Sequence, residues 1–307
     1  MAKSEFTVIK CQTSKRLECD HLCFAPDSRT ILGCVSPNTL AQWDAETGNV
    51  IARVHVPRSS HSFALKYSPD GKWVALAGEK QVVVVDAKSF KILKSVVFVE
   101  RAIYDSLDWS HDGQLIAVGG TNLQAACWNP ATGKVIMTKP REDNAGFVAF
   151  FNRPDQILFS CDDEVFAWSP ESNKERRLLK LKSRDGYCWD HALSPDKSTL
   201  ISVSERGCLL KTNTRTWRSN RSKTATSSCG HQFGFSPNGR LLAMTANIDI
   251  VHVLNVETGR PLFKWRQPNR LAAFSPVFSP DGQRLACSLD SELFLLKFHE
   301  NVESQLG

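Results

Sequence analysis

One short run in the chain alternates residue types that bind metals: LECDHLC, residues 17–23. On an extended strand Cys19, His21 and Cys23 fall on one face, with successive Cα atoms roughly 6.5–7 Å apart. Thiolate and neutral imidazole form a ligand set for zinc. That spacing is wide for three ligands on one ion, and a fourth would have to come from elsewhere, so the run reads as packing. His191, flanked by Trp189 and Asp190, is the other polar group to weigh. It reads as a core histidine satisfied by a neighbour. No phosphate-cradling GxxxxGK[ST], GxSxG elbow, HExxH or CxxC is present. We therefore assign no catalytic residue, no metal and no cofactor, and expect no enzyme.

Charge gives a stronger signal. The 307 residues carry 38 basic and 32 acidic side chains, a formal net charge of +6. From Arg206 to Ile248 there is no Asp or Glu, while Arg206, Lys211, Arg215, Arg218, Arg221, Lys223 and Arg240 all fall there. The excess of positive charge thus sits in one interval. Arginine forks there suit carboxylate or phosphate, and a basic patch steers acidic partners. Apart from Trp217, its centre at residues 216–231 holds no Phe, Tyr or Trp for base stacking, so a nucleic-acid partner is not expected.

The elements that position these residues follow from a repeat. YSPDGKWVALA (67–77) returns as FSPNGRLLAMT (235–245) and FSPDGQRLACS (278–288), with weaker copies between. Aligned on the proline place, the copies stand at Pro26, Pro69, His111, Asn152, Pro195, Pro237 and Pro280, at intervals of 43, 42, 41, 43, 42 and 43 by subtraction. In each full copy proline pre-sets φ, Asp or Asn bonds its own backbone, and glycine takes φ > 0. Alternating apolar residues flank this turn, the mark of a β-hairpin. A second polar turn follows each copy, as in WDAETG (43–48), WNPATG (128–133) and LNVETG (254–259). Each period then holds four short strands, and no 3.6-residue periodicity intervenes. Phe24, Tyr67, Trp109, Phe150, Leu193, Phe235 and Phe278 occupy one equivalent place and form a packing layer between repeats.

A period of 40 to 45 residues with four strands is the signature of a propeller blade. Through the SPDG-type turns and the dipeptides Trp43-Asp44 and Trp128-Asn129, the chain resembles the WD-repeat (WD40-type) β-propeller family over roughly residues 5–299. The resemblance implies an all-β, seven-bladed propeller of four-stranded antiparallel blades, one domain over residues 1–307. It departs from the family in that the Gly-His dipeptide does not stand at its usual distance upstream of the inner turn. The last repeat lacks a fourth strand, and FTVIKCQ (6–12) is a spare one. We expect the N-terminal strand to pair beside residues 292–298 and close the ring, removing both sheet edges.

The connection from each outer strand to the next inner strand carries an arginine. We therefore expect an arginine-bearing loop face around the pore mouth, with Arg58, Arg101, Arg141, Arg184, Arg218, Arg221, Lys223 and Arg270 as contact residues and Tyr187 and Trp189 as aromatic anchors. TWRSNRSKTATSSCGH (216–231) reads as the longest and least strand-like of these connections. The expected role is a non-enzymatic scaffold for an acidic peptide or protein segment. The rivals are a lactonase-like hydrolase with a metal in the channel, hinted at by Asp108 and Asp190, and a purely structural subunit. Apolar runs are strand-length, so no membrane span is expected. The start, MAKSEFTVIK, has no signal-peptide core. Ten cysteines without a paired spacing pattern read as reduced core residues of a cytoplasmic protein.

Overall fold

A computed structural model of the protein describes residues 6–12, 21–36, 38–56, 62–79, 81–100, 102–138, 146–151, 156–181, 188–204, 208–223, 229–246, 250–266, 273–289 and 292–299. Within them 28 strands form seven four-stranded antiparallel sheets. The inner strands are β2 (Leu22–Phe24), β6 (Ser62–Tyr67), β10 (Tyr104–Trp109), β14 (Val148–Phe150), β18 (Cys188–Leu193), β22 (Cys229–Phe235) and β26 (Ala273–Phe278). Each begins a blade that proceeds outward, strand by strand, in chain order, except that the seventh takes its outer strand from the start of the chain. The all-β seven-bladed expectation holds.

Closure is as expected. β1 (Phe6–Lys10) lies antiparallel against β28 (Glu292–Phe298), from Phe6 opposite Phe298 to Lys10 opposite Phe294. The first strand is thereby the outer strand of the seventh blade. Beyond it the chain crosses to the first blade. The Gln12 N–H donates to the Gly48 carbonyl at 2.9 Å, and the buried Trp43 indole donates to the Gln12 carbonyl at 2.9 Å. Glu46 accepts from Arg284 at 2.6 Å and from Lys297 across the same seam.

Apolar side chains fill the seam between every pair of neighbouring blades. Ala75, Val84, Trp109 and Val118 join the second to the third, and Ile31, Trp43, Ala286 and Leu295 join the seventh to the first. Phe24, Tyr67, Trp109, Phe150 and Phe278 are buried, and Leu193 and Phe235 are half-buried, which makes them the expected packing layer. Burying one such side chain contributes about 1.5–3 kcal/mol.

The inner turns close by a bond that sequence reading overlooked. In the second blade Ser68 Oγ donates to Asp70 Oδ1 at 2.7 Å and accepts the Trp73 N–H at 3.0 Å. Ser110 with Asp112, Ser194 with Asp196, Ser236 with Asn238 and Ser279 with Asp281 repeat the pattern. The residue after the acid takes positive φ: Gly71, Gly113, Gly239 and Gly282, but Ser28 in the first blade and Lys197 in the fifth.

One local expectation is corrected. Arg218–Lys223, read as part of a projecting connection, forms β21, the outer strand of the fifth blade. It pairs with β20 (Cys208–Asn213), Arg218 opposite Asn213 and Lys223 opposite Cys208. Its described side chains are exposed or half-buried and none is apolar, so RSNRSK shows no apolar alternation although it is a strand.

Candidate functional site

Of the residues singled out from sequence, Arg58, Arg101, Arg141, Arg184, Tyr187, Arg270 and Cys19 lie outside the described residues. Trp189 and Lys223 are described only as backbone, on β18 and at the end of β21. Arg218 and Arg221 are fully described and exposed. Arg218 begins β21 directly after the outer turn, at the opposite end of the strand from the connection. It therefore does not stand on the connection face where sequence reading placed it.

The structure instead brings Arg218 together with another member of the acid-free interval. Residues paired diagonally on adjacent strands share a sheet face, and Lys211 and Arg218 are such neighbours on β20 and β21. With Asn213, Asn220 and the turn Val256–Gly259 of the sixth blade they line a groove of about 480 Å³ between the two blades. The turn approaches closely because Gly259 carries no side chain. A Cβ there would sit 3.1 Å from Ser222 Oγ, and the residue's φ is +68°. Arg221 also lines the groove, and its Nε donates to Cys208 Sγ at 2.9 Å.

The cations of this groove are not answered as they are at two other blade edges. In the fourth blade Arg177 and Lys180 are both answered by Glu164, at 2.8 and 3.3 Å. At the closing seam Lys10 meets Glu292, and Arg284 and Lys297 meet Glu46. Lys211, Arg215 and Arg218 make no ion pair among the described residues. Glu257, on the rim, is the one carboxylate lining the groove, and it too makes no ion pair among the described residues. The groove therefore presents ammonium and guanidinium groups beside amide side chains, with Glu257 as its one acidic neighbour among the described residues.

The remaining candidates have structural occupations. Asp108 on β10 receives Lys66 Nζ on one carboxylate oxygen at 2.6 Å and the Phe150 N–H on the other at 2.8 Å. Both oxygens of the acid proposed for a channel hydrolase are thus engaged in joining three blades. The side chain of Asp190 lies outside the description. His191 is buried, shares a 2.8 Å hydrogen bond between Nδ1 and Ser202 Oγ, and packs 5.7 Å from the Phe147 ring. Burial pushes its pKa down to about 4. It is the core histidine expected from sequence. His21 is likewise pushed down to about 4, and burial raises the Cys23 thiol. Eight cysteines are buried among the described residues.

Comparison with known proteins agrees with the repeat. No protein-family model matches the chain. It is 25% identical over 242 residues to the Protein LST8 homolog of Drosophila melanogaster, covering 75% of each chain. It is 28% identical over 185 residues to the WD repeat-containing protein SL1-17 of Schistosoma mansoni, covering 60% of this chain and 58% of that one. Over 144 residues it is 26% identical to the meiotic recombination protein rec14 of Schizosaccharomyces pombe, covering 46% and 47%. Among solved structures, that of U3-55K superposes with a TM-score of 0.79 at 15% identity, over 95% of this chain and 98% of the other. The seven four-stranded blades, the SPDG and Trp-Asp turns and these relatives together support the WD40-type β-propeller family for this chain.

Proposed function

We propose that this propeller is a non-enzymatic interaction scaffold that receives an acidic segment of a protein partner in the groove between its fifth and sixth blades. The observation that carries the reading is the placement of Lys211 and Arg218 as diagonal neighbours on one groove wall without a carboxylate at ion-pair distance among the described residues. A rigid ring suits this role, because binding then orders little of the scaffold itself. Arginine offers a planar fork to a carboxylate, and lysine a movable point charge beside it. The acid-seeking character read from sequence is retained, and its centre moves from the connection face to the outer edge of the fifth blade.

Fluorescence anisotropy with a labelled oligoglutamate peptide tests this reading. Wild-type protein binds, binding weakens with added salt, and the double variant Lys211→Glu/Arg218→Glu loses about tenfold or more in affinity. Equal binding by the two proteins rejects the groove as the site.

A further inference from the structure

The end of the central channel on the Ser-Pro-Asp turn side opens into a cavity of about 870 Å³. We infer that this axial mouth binds a single carboxylate carried on an apolar peptide segment, with Lys197 as the residue that meets it. This site is separate from the outer groove and shares with the proposed function only the premise of a protein partner.

The wall is apolar. Edges of Tyr67, Trp109, Phe151 and Phe278 line it, and prolines from the inner turns, including Pro69 and Pro195, form its rim. Ligand sites commonly combine such walls with a few placed polar groups. Here those groups include Lys66, Asp108 and Lys197. Asp108 is committed: one oxygen holds Lys66 at 2.6 Å, and the other accepts the Phe150 N–H at 2.8 Å. Lys66 is therefore neutralised, and its ammonium is held more firmly protonated by that carboxylate. Lys197 makes no ion pair or side-chain hydrogen bond among the described residues. Burial, and to a lesser extent the charge of Lys66, lowers its proton affinity, partly offset by Asp108.

The backbone makes Lys197 harder to explain as filler. It has φ of 61° at the place where Gly71, Gly113, Gly239 and Gly282 stand, a region unfavourable to a residue with a side chain. Ser28 is the other described residue that departs from glycine there, and its hydroxyl accepts the Asp281 N–H at 3.0 Å across the closing seam. No comparable bond accounts for Lys197. What its side chain adds to the protein is a half-buried cation at the mouth of the channel.

The charge balance and the shape select the ligand. Lys66, Lys197 and Asp108 leave one net positive charge, and Asp108 repels a dianion, so a carboxylate fits better than a phosphate group. The bowl is open to solvent on one side, with 52% of the Lys66 side chain accessible. It covers one face of a ligand, which suits a segment that continues past the rim better than a small metabolite in need of enclosure.

The test uses folded full-length protein whose lysines carry isotope-labelled dimethyl groups, which preserve their charge. The Lys197 signal is assigned by its absence in Lys197→Gly, a variant that places at this turn the residue four other blades use. The probe is the capped peptide Gly-Leu-Phe-Glu-Phe-Leu-Gly, compared with its Gln analogue and with free phenylbutyrate. The expected result is a saturable Lys197 shift with the Glu peptide and about tenfold weaker binding of the Gln peptide, as for loss of one charged hydrogen bond. Lys197→Gly, followed by anisotropy of the labelled peptide, loses a similar factor, while Lys211→Glu/Arg218→Glu binds like wild type. Absence of a saturable shift at millimolar peptide, equal affinity for the Glu and Gln forms, or undiminished binding by Lys197→Gly overturns the inference. Phenylbutyrate binding as tightly as the peptide overturns the assignment to a peptide.

Discussion

Asp108 and Lys66 meet across the seam between the second and third blades at 2.6 Å, and the same carboxylate reaches the backbone N–H of Phe150 in the fourth blade. Side chains on the inner strands thus tie three blades together around the channel. The Trp109 indole reinforces the first of these seams by donating to the Lys66 carbonyl at 3.0 Å.

Asp108→Asn removes the charge of the brace and keeps an oxygen for Phe150, whereas Asp108→Ala orphans a buried N–H. We predict a loss of about 1–2 kcal/mol for the first, held to that size because Lys66 is half solvated. The alanine variant loses about 2–4 kcal/mol. Urea unfolding monitored by tryptophan fluorescence reads both, and equal losses would show that the Phe150 bond contributes nothing.

Removing residues 1–12 strips β1 from the edge of β28 and deprives the buried Trp43 indole of its acceptor. An unpaired edge strand invites association with another chain. The truncated protein is predicted to melt at a lower temperature and to self-associate with rising concentration in light scattering. A monomer with unchanged melting would show that closure by the first strand is dispensable.

His191 links stability to pH. Its folded pKa, near 4 because of burial, lies below the value of about 6.5 expected in the unfolded chain. The unfolded state therefore binds the proton first as pH falls, and the contribution is whole above about pH 6.5 and lost progressively down to about pH 4. Replacing His191 with Leu, the residue at the equivalent place in three other blades, should reduce the proton uptake on unfolding between those values by about one. Unfolding free energies across that range measure it, and an unchanged slope would mean that His191 titrates normally.

Lys197→Gly relieves the left-handed strain at the fifth inner turn. Its folded state should gain about 0.5–1 kcal/mol in urea unfolding. Part of this is offset by the greater freedom of glycine in the unfolded chain. A destabilised variant would mean that the lysine stem packs more productively than its backbone is strained.

Local chemistry made the ring legible from sequence. Pro69, Asp70 and Gly71 specify a turn within three residues, and seven such signals at a near-constant period imply seven blades. Counting strands left one missing at the end and one spare at the start, so closure followed. The outer strand at Arg218–Lys223 was illegible because a strand exposed on both faces carries no alternation. Its neighbour in the fourth blade, KERRLLK at Lys174–Lys180, is similarly polar for much of its length. The groove and the axial cavity were hidden for a different reason. Tyr67, Trp109 and Phe278 each read as packing, which they are, and only the ring brings their edges to one mouth. The lysine in the glycine place of LSPDKSTLI was visible, but its meaning depended on the distant Lys66 and Asp108.

The most direct measurement of the central claim is hydrogen–deuterium exchange with and without the oligoglutamate peptide. β21 is the edge strand of its sheet, so a ligand seated against it should register there. The account predicts slowed exchange across Arg218–Lys223 and in the turn Val256–Gly259, with none in the outer strand of the second blade, Ile92–Val96. Protection confined to any other blade, or none at a concentration that saturates binding, would contradict it.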